Sequence, residues 1–421
     1  MINKFILLLS LLFSVTLSGQ TKSVLFIGNS YTGANNLPQL TRDVALSVGD
    51  TLIFDAHTPG GAQIQQHSNS TAAIQKIFSK SWDHVVLQAQ SQEPSFSQNQ
   101  VQQTVYPYAK KLCDTIIAND SCTRPIFYQT WGRKNGDANN CPIAPWLCTY
   151  EGMDSALAFS YNKMANDNNA FLSPVGAVWK YIRGHFPNLD LYAPDESHPS
   201  MAGSYAAACT FYTVLFKKDP TLITHNAGLS TNDAQNIRAT TKLVVYDSLL
   251  KWNVGKFKPK ACFTYRINGC TVDFDASCSL NSTSYLWDSD DGISPTINGL
   301  TISHTYAKAG GYDVKLTVSH CGQSDDTTIT IFPCTIGLTE SLLDSQNLLY
   351  PNPAHDKLNC ENIKDLKVEQ IKLTDVHGQV VLKFKTEISD KLDISSLPKG
   401  TYCAQFITKT GEIYTEKFIK E

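Results

Sequence analysis

The stretch Ser23-Val24-Leu25-Phe26-Ile27-Gly28-Asn29-Ser30-Tyr31-Thr32-Gly33 runs from an unbroken apolar segment straight into small, turn-forming residues. An apolar run without polar alternation is a strand buried on both faces, as in a parallel sheet covered by helices. The same texture returns at Thr51-Leu52-Ile53-Phe54, His84-Val85-Val86-Leu87-Gln88 and Pro125-Ile126-Phe127-Tyr128. Segments of helical period lie near 37–48, 71–80, 99–118, 152–167, 176–184, 200–217 and 231–252. Strand followed by helix, repeated, predicts a three-layer α/β sandwich with a parallel sheet over residues 21–255.

Upstream, residues 1–19 carry a lone Lys4, an apolar run from Phe5 to Phe13 and then the small residues Ser14, Thr16, Ser18 and Gly19. That order predicts a secretory signal peptide. Its apolar run is shorter than the roughly 18 to 20 residues a membrane span needs, and no other segment reaches that length, so no transmembrane segment is expected. Downstream of Trp252 the helical period disappears. Alternation at 261–265, 271–274, 312–318 and 327–331 predicts a β-sandwich over 258–333. A linker is expected at 334–347 and a second strand-rich unit at 348–421.

Composition bounds the partners. The 421 residues are 42% hydrophobic and 17% charged, which excludes wholesale disorder, and a net charge of −3 offers no basic field for nucleic acid. Twelve cysteines in an exported chain, with no Cys-x-x-Cys, suggest disulfides rather than metal. Candidate local pairs are Cys113 with Cys122, Cys141 with Cys148, and Cys360 with Cys403, while Cys209, inside an apolar helix, reads as a buried thiol. The sequence has no His-Glu-x-x-His, no phosphate-binding Gly-rich loop with Lys and no Gly-x-Gly-x-x-Gly after the first strand, so neither metal nor cofactor is expected. Asp288, Asp290, Asp291 and Gly292 miss the calcium-loop spacing and read as a tight turn.

Ser30 stands where the first strand turns toward a helix, at the carboxyl edge of the sheet, among backbone N–H groups able to hold an oxyanion. Pro194-Asp195-Glu196-Ser197-His198-Pro199-Ser200 precedes the helix at 200–217. A serine nucleophile needs a base to take its proton and a carboxylate to orient that base, and Asp195 three residues before His198 supplies both. The alternative reading of this loop is a helix cap with His198 incidental. Trp131 and Arg133, in the loop after the strand at 125–128, are candidates to stack on and hydrogen-bond a sugar.

The Gly28-Asn29-Ser30-Tyr31 turn, the Gly60-Gly61 pair and Asp195-x-x-His198 resemble the SGNH (GDSL-like) hydrolases, whose α/β domain is flavodoxin-like, over about residues 21–255. The resemblance implies Ser30 as nucleophile, His198 as general base and acid, and Asp195 as its orienting carboxylate. It implies an oxyanion hole of the Ser30 N–H, the Gly61 N–H (Gly60 as the alternative) and a side-chain carboxamide. The family's Gly-x-Asn-Asp is replaced here by Gln90-Ser91-Gln92-Glu93, so that carboxamide falls to Gln92 or to Gln90. Tyr285-Leu286-Trp287-Asp288 with His304-Thr305-Tyr306 is similar to PKD domains. Leu349-Tyr350-Pro351-Asn352-Pro353, the alternating Ile371–Val376, the turn at His377-Gly378 and the Leu392–Tyr402 segment resemble the C-terminal sorting domain of type IX secretion in Bacteroidetes. That resemblance makes the secretion machinery a partner of residues 348–421 and implies a secreted or cell-surface protein.

The expected function is a secreted serine esterase, an O-acetyl esterase acting on polysaccharide, with an acylated carbohydrate or other small ester as partner. The alternatives are a lipase, arylesterase or thioesterase on the same triad, or a non-catalytic glycan-binding protein or adhesin.

Overall fold

The computed structural model describes residues 19–292, 297–334, 348–360, 366–375, 379–385, 391–409 and 413–421. Apart from Gly19 and Cys334, the signal segment at 1–19 and the linker at 334–347 lie outside the described residues, as does the turn at His377-Gly378. The chain divides into two compact units. The first takes the described residues up to Pro259 together with Ser319–Ser324; the second takes Lys260–Val318 and Asp325–Glu421.

The first unit is built on five strands: β1 (Thr21–Ile27), β2 (Thr51–His57), β3 (His84–Leu87), β4 (Arg124–Tyr128) and β5 (Phe171–Ser173). They pair in the order β2-β1-β3-β4-β5, and every pairing is parallel. Val24 to Ile27 of β1 and all four residues of β3 are buried, as the uninterrupted apolar runs require. Ile27 faces both His57 and Leu87, and Leu87 faces Phe127. The loops leaving β1, β2, β3 and β4 therefore emerge at one level of one edge. Chain order reverses between β1 and β3, which is where open α/β sheets hold their ligands. β5 has no counterpart among the expected strands, because three residues are too few to stand out as a run.

The longer helices are α1 (Leu37–Leu46), α2 (Tyr106–Asn119), α3 (Tyr150–Asp167), α4 (Val175–His185), α5 (Met201–Phe216) and α6 (Thr231–Val244). The single helix expected at 99–118 is two, Gln98–Thr104 and α2, broken at Val105 because Pro107 in the first turn of α2 has no N–H to continue the ladder. The helix expected to run to 252 ends at Val244, and 3₁₀ turns occupy Tyr246–Trp252. Residues 202–216 of α5 are all buried, as expected of a helix apolar on every side.

In the second unit, antiparallel strands Thr264–Asn268, Thr271–Asp275 and Thr301–Thr305 pair in one sheet, and Trp287, Phe274, Tyr306 and Leu316 lie in a common apolar core. A separate core of Leu358, Ile371, Leu373, Phe406 and Phe418 belongs to the strands of 348–421.

Of the expected cysteine pairs, Cys141–Cys148 is formed. Cys113 and Cys122 do not pair: Cys113 lies buried on α2 as a thiol, and Cys122 is joined to Cys321 of the first unit. Nor do Cys360 and Cys403, which sit on strands of different sheets. Cys262–Cys278 and Cys270–Cys334 are the remaining bridges among the described residues. Cys209 is a wholly buried thiol, and burial pushes its pKa up to about 12.

Candidate active site

The turn after β1 is fixed from beneath. Buried Gln88, just beyond β3, accepts hydrogen bonds through Oε1 from Asn29 N and Thr32 Oγ1, both at 2.9 Å. A Cβ on Gly28 would lie 2.3 Å from Thr32 Oγ1 and 2.7 Å from Gln88 Oε1, so only glycine permits this approach. Asn29 caps the short helix Ser30–Gly33: its Oδ1 accepts from Tyr31 N, and its carbonyl accepts from Thr32 N and Gly33 N. With Gly28 N bonded to His57 O and Asn29 N to Gln88, Ser30 N is the one amide of Gly28–Gly33 without a partner among the described residues. It is a ready oxyanion donor.

Ser30 Oγ lies 2.8 Å from His198 Nε2, and His198 Nδ1 lies 2.5 Å from Asp195 Oδ2. Asp195 Oδ1 accepts from the amides of Ser197 and His198, so the carboxylate is held by its own loop. Because Asp195 can only accept when ionised, the imidazole carries its proton on Nδ1 and offers Nε2 to the serine hydroxyl. Desolvation, the largest single effect on the Asp195 carboxyl, raises its pKa. The bonds from His198 Nδ1 and the two amides outweigh it and hold the group below the ordinary carboxylate value. Capping of α5 falls to Ser200, whose Oγ accepts from Gly203 N, which leaves His198 to the serine.

Tyr31 supports the histidine from the side. Its ring meets His198 edge-on at 5.2 Å, and its hydroxyl pairs with Ser197 Oγ at 2.6 Å. Trp131 stacks on Tyr31 at 4.9 Å and on Trp179 at 3.6 Å, and its Nε1 donates to Ser197 O. Trp131 is 0% exposed. The expected sugar contact at Trp131 is therefore corrected: its faces are covered by two other aromatic rings, and its role is to brace the loop of Asp195 and His198.

The two loops expected to carry oxyanion donors are each tied to Asn29, beside Ser30, one through Ala62 O and the other through Gln88 Oε1. Asn29 Nδ2 donates to Ala62 O, tying the turn of Pro59–Ala62 to the nucleophile. Gly61 in that turn has φ +69°, a conformation that favours glycine. After β3, Gln90 Oε1 accepts from Gln92 N and Glu93 N, and Gln90 Nε2 donates to Gln92 Oε1. Gln92 Nε2 donates to Asp137 Oδ2. Asp137, whose side chain is wholly buried, also accepts from Arg133 at 3.1 Å and Asn140 at 2.7 Å. Arg133 is thus held in the loop after β4 and is part-exposed. Sequence reasoning missed Asp137, Tyr31 and Gln88.

Glu93, in the loop after β3, is 7% exposed, and its Oε2 has no partner among the described residues. Burial pushes its carboxyl up to about 7, against the backbone amides of Ile64 and Gln90, which favour the ionised form. No group of three or more metal-ligating side chains occurs among the described residues.

Residues 261–332 match the family model of the PKD domain. They also resemble the PKD1 domain of the Vibrio cholerae metalloprotease PrtV, at 35% identity over 18% of this chain and 99% of that one, TM-score 0.17. This segment is a PKD domain. Residues 348–421 match the model of the secretion system C-terminal sorting domain, which indicates export and a secreted or cell-surface location. No helix among the described residues is long and apolar enough to cross a membrane. The unit ahead of the PKD domain is α/β with a five-stranded parallel sheet. Solved structures similar to this part of the chain include a protein from Slackia heliotrinireducens described as an SGNH hydrolase, at 24% identity over 46% of this chain and 97% of that one, TM-score 0.38. Another is a DUF4886 family protein from Bacteroides uniformis, at 18% identity over 55% and 95%, TM-score 0.45. A search of curated proteins finds no match.

Proposed function

We propose that the α/β domain ahead of the PKD domain is an extracellular serine esterase that removes O-acetyl groups from polysaccharide. The observation that carries this reading is the unbroken relay Ser30 Oγ, His198 Nε2, His198 Nδ1, Asp195 Oδ2 at the switch point of the sheet. As Ser30 Oγ bonds to the ester carbonyl carbon, its proton passes to His198 Nε2 and the carbonyl oxygen becomes an oxyanion facing Ser30 N. The tetrahedral centre collapses, the ester C–O bond breaks, and Nε2 gives its proton to the leaving alkoxyl oxygen. Water then attacks the acyl-enzyme, yields its proton to Nε2 and releases the acid, and Nε2 returns the proton to Ser30 Oγ. Asp195 remains ionised throughout and stabilises the imidazolium.

Two features support a polymeric substrate. The side chains of His198 and Asp195 are 39% and 50% exposed, so the relay lies open at the surface. The sorting tail indicates a secreted or cell-surface location, which suits a substrate too large to enter a cell.

The test is initial-rate hydrolysis of p-nitrophenyl acetate and butyrate by the full chain, followed by acetate release from acetylated polysaccharide. Activity lost in Ser30→Ala and His198→Ala, with acetate preferred over butyrate, supports the reading. Equal rates in wild type and both variants would overturn it.

A further inference from the structure

The loop that carries Asp137 ends in an exposed apolar run. Pro142, Ile143, Pro145 and Trp146 are all exposed, Ile143 at 81% and Trp146 at 41%. Large apolar side chains gathered at a surface mark contact sites when the backbone beneath them is fixed. Here it is fixed four times over. The Cys141–Cys148 disulfide closes the segment, two prolines stiffen it, Asp137 N donates to Leu147 O, and Cys141 N donates to Asp137 O. Trp146 Nε1 donates to Ser95 O at 2.8 Å, which fixes the indole edge and leaves ring surface to solvent. Ser95 Oγ in turn donates to Gln92 O, so the exposed ring is two hydrogen bonds away from an expected oxyanion residue.

We infer that Trp146, flanked by Ile143, is a stacking platform for a sugar ring of the polymeric substrate, an inference that rests on the esterase reading. A pyranose presents an apolar C–H face bounded by hydroxyls. It fits an exposed aromatic surface such as the Trp146 ring. From Ala138 to Tyr150 the chain has no charged residue, which suits a neutral sugar rather than an acidic one. A platform rigid before binding loses little conformational entropy when the ring docks. Trp146 supplies the contact that sequence reasoning assigned to Trp131.

The test compares full-length wild type, Trp146→Ala, Trp146→Phe and Ile143→Ser on acetylated xylan and on p-nitrophenyl acetate. The expected result is a roughly tenfold rise in KM on xylan for Trp146→Ala with a smaller change in kcat, about 1.4 kcal/mol of lost binding. The ratio of the two kcat/KM values should shift against xylan by the same factor, and Trp146→Phe should recover most of it. An unchanged KM on xylan overturns the platform. So does a Trp146→Ala defect seen with long-chain esters and not with xylan, which would make the surface an acyl-chain contact. Retardation of the Ser30→Ala protein in a xylan gel, with and without Trp146→Ala, tests the platform without turnover. If wild type hydrolyses neither ester yet retardation depends on Trp146, the esterase reading fails and the platform stands.

Discussion

Gln92 Nε2 donates a 2.6 Å hydrogen bond to Asp137 Oδ2, joining the loop that leaves β3 to the loop that leaves β4. With Gln90 bonded to Gln92 Oε1, both ends of the carboxamide are oriented, and one Nε2 hydrogen is uncommitted among the described residues. On the esterase reading Asp137 is a positioning residue that acts through Gln92. Asp137→Asn keeps the shape but turns one of its two acceptors into a donor facing Gln92, Arg133 or Asn140. The expected outcome is a kcat about tenfold lower with little change in KM, and a stability loss of about 2 kcal/mol from the unsatisfied buried groups. Steady-state kinetics and thermal unfolding of the variant check both.

The relay itself makes a graded prediction. Ser30→Ala and His198→Ala should lower kcat by at least roughly 10³-fold, because each removes a group that bonds to or moves a proton in the reaction. Asp195→Asn should leave a residue of activity, since the Ser30–His198 contact persists while the tautomer is no longer enforced. Comparable losses in all three, measured on p-nitrophenyl acetate, would place proton transfer entirely under Asp195.

The two glutamines should separate by kind of defect. Gln92→Ala removes the oriented donor, and a lost oxyanion donor costs about 3 kcal/mol in the barrier, roughly 10²-fold in kcat. Gln90→Ala deprives the amides of Gln92 and Glu93 of their acceptor, so its main effect is expected in the melting temperature. A reversed ranking in kcat identifies Gln90 as the donor.

Glu93 predicts a pH dependence of stability. Its carboxyl titrates at about 7 in the folded protein against an ordinary 4.5, so the folded state holds the proton more tightly than the unfolded chain. Stability contributed by the protonated form is full below 4.5 and declines as pH rises toward and through 7, by up to about 3 kcal/mol. Glu93→Gln should remove that decline. Melting temperatures of both proteins from pH 5 to 8 check it, and parallel curves would show that Glu93 is ionised throughout.

What the sequence revealed followed the reach of each interaction. β1 and β3 were legible because strands buried on both faces must be apolar at every position, whereas Phe171–Ser173 was too short to register. The Asp195–His198 pairing was legible because a three-residue spacing makes it local, whereas the contact of Ser30 with His198, 168 positions away, was expected from the chemistry a serine nucleophile needs and from the family resemblance, not from spacing. Trp131 was misread because its neighbours in sequence, Arg133 and Asn135, are polar, and its burial depends on Tyr31 and Trp179, 100 and 48 positions away. The Cys122–Cys321 bridge spans 199 residues, far beyond what local spacing can indicate.

The Tyr31–Trp131–Trp179 stack and the loop closed by Cys141–Cys148 divide the domain's labour. The stack is sealed in the interior and touches the histidine loop, so a change there alters the reaction for every substrate. The disulfide loop meets solvent, and a hydrogen bond and a carboxylate join it to the chemistry. On the esterase reading, replacing residues 142–146 while keeping Asp137, Asn140 and the Cys141–Cys148 bridge would leave the triad's support in place and change only what the loop offers to solvent, which makes this loop the natural place to diversify the protein.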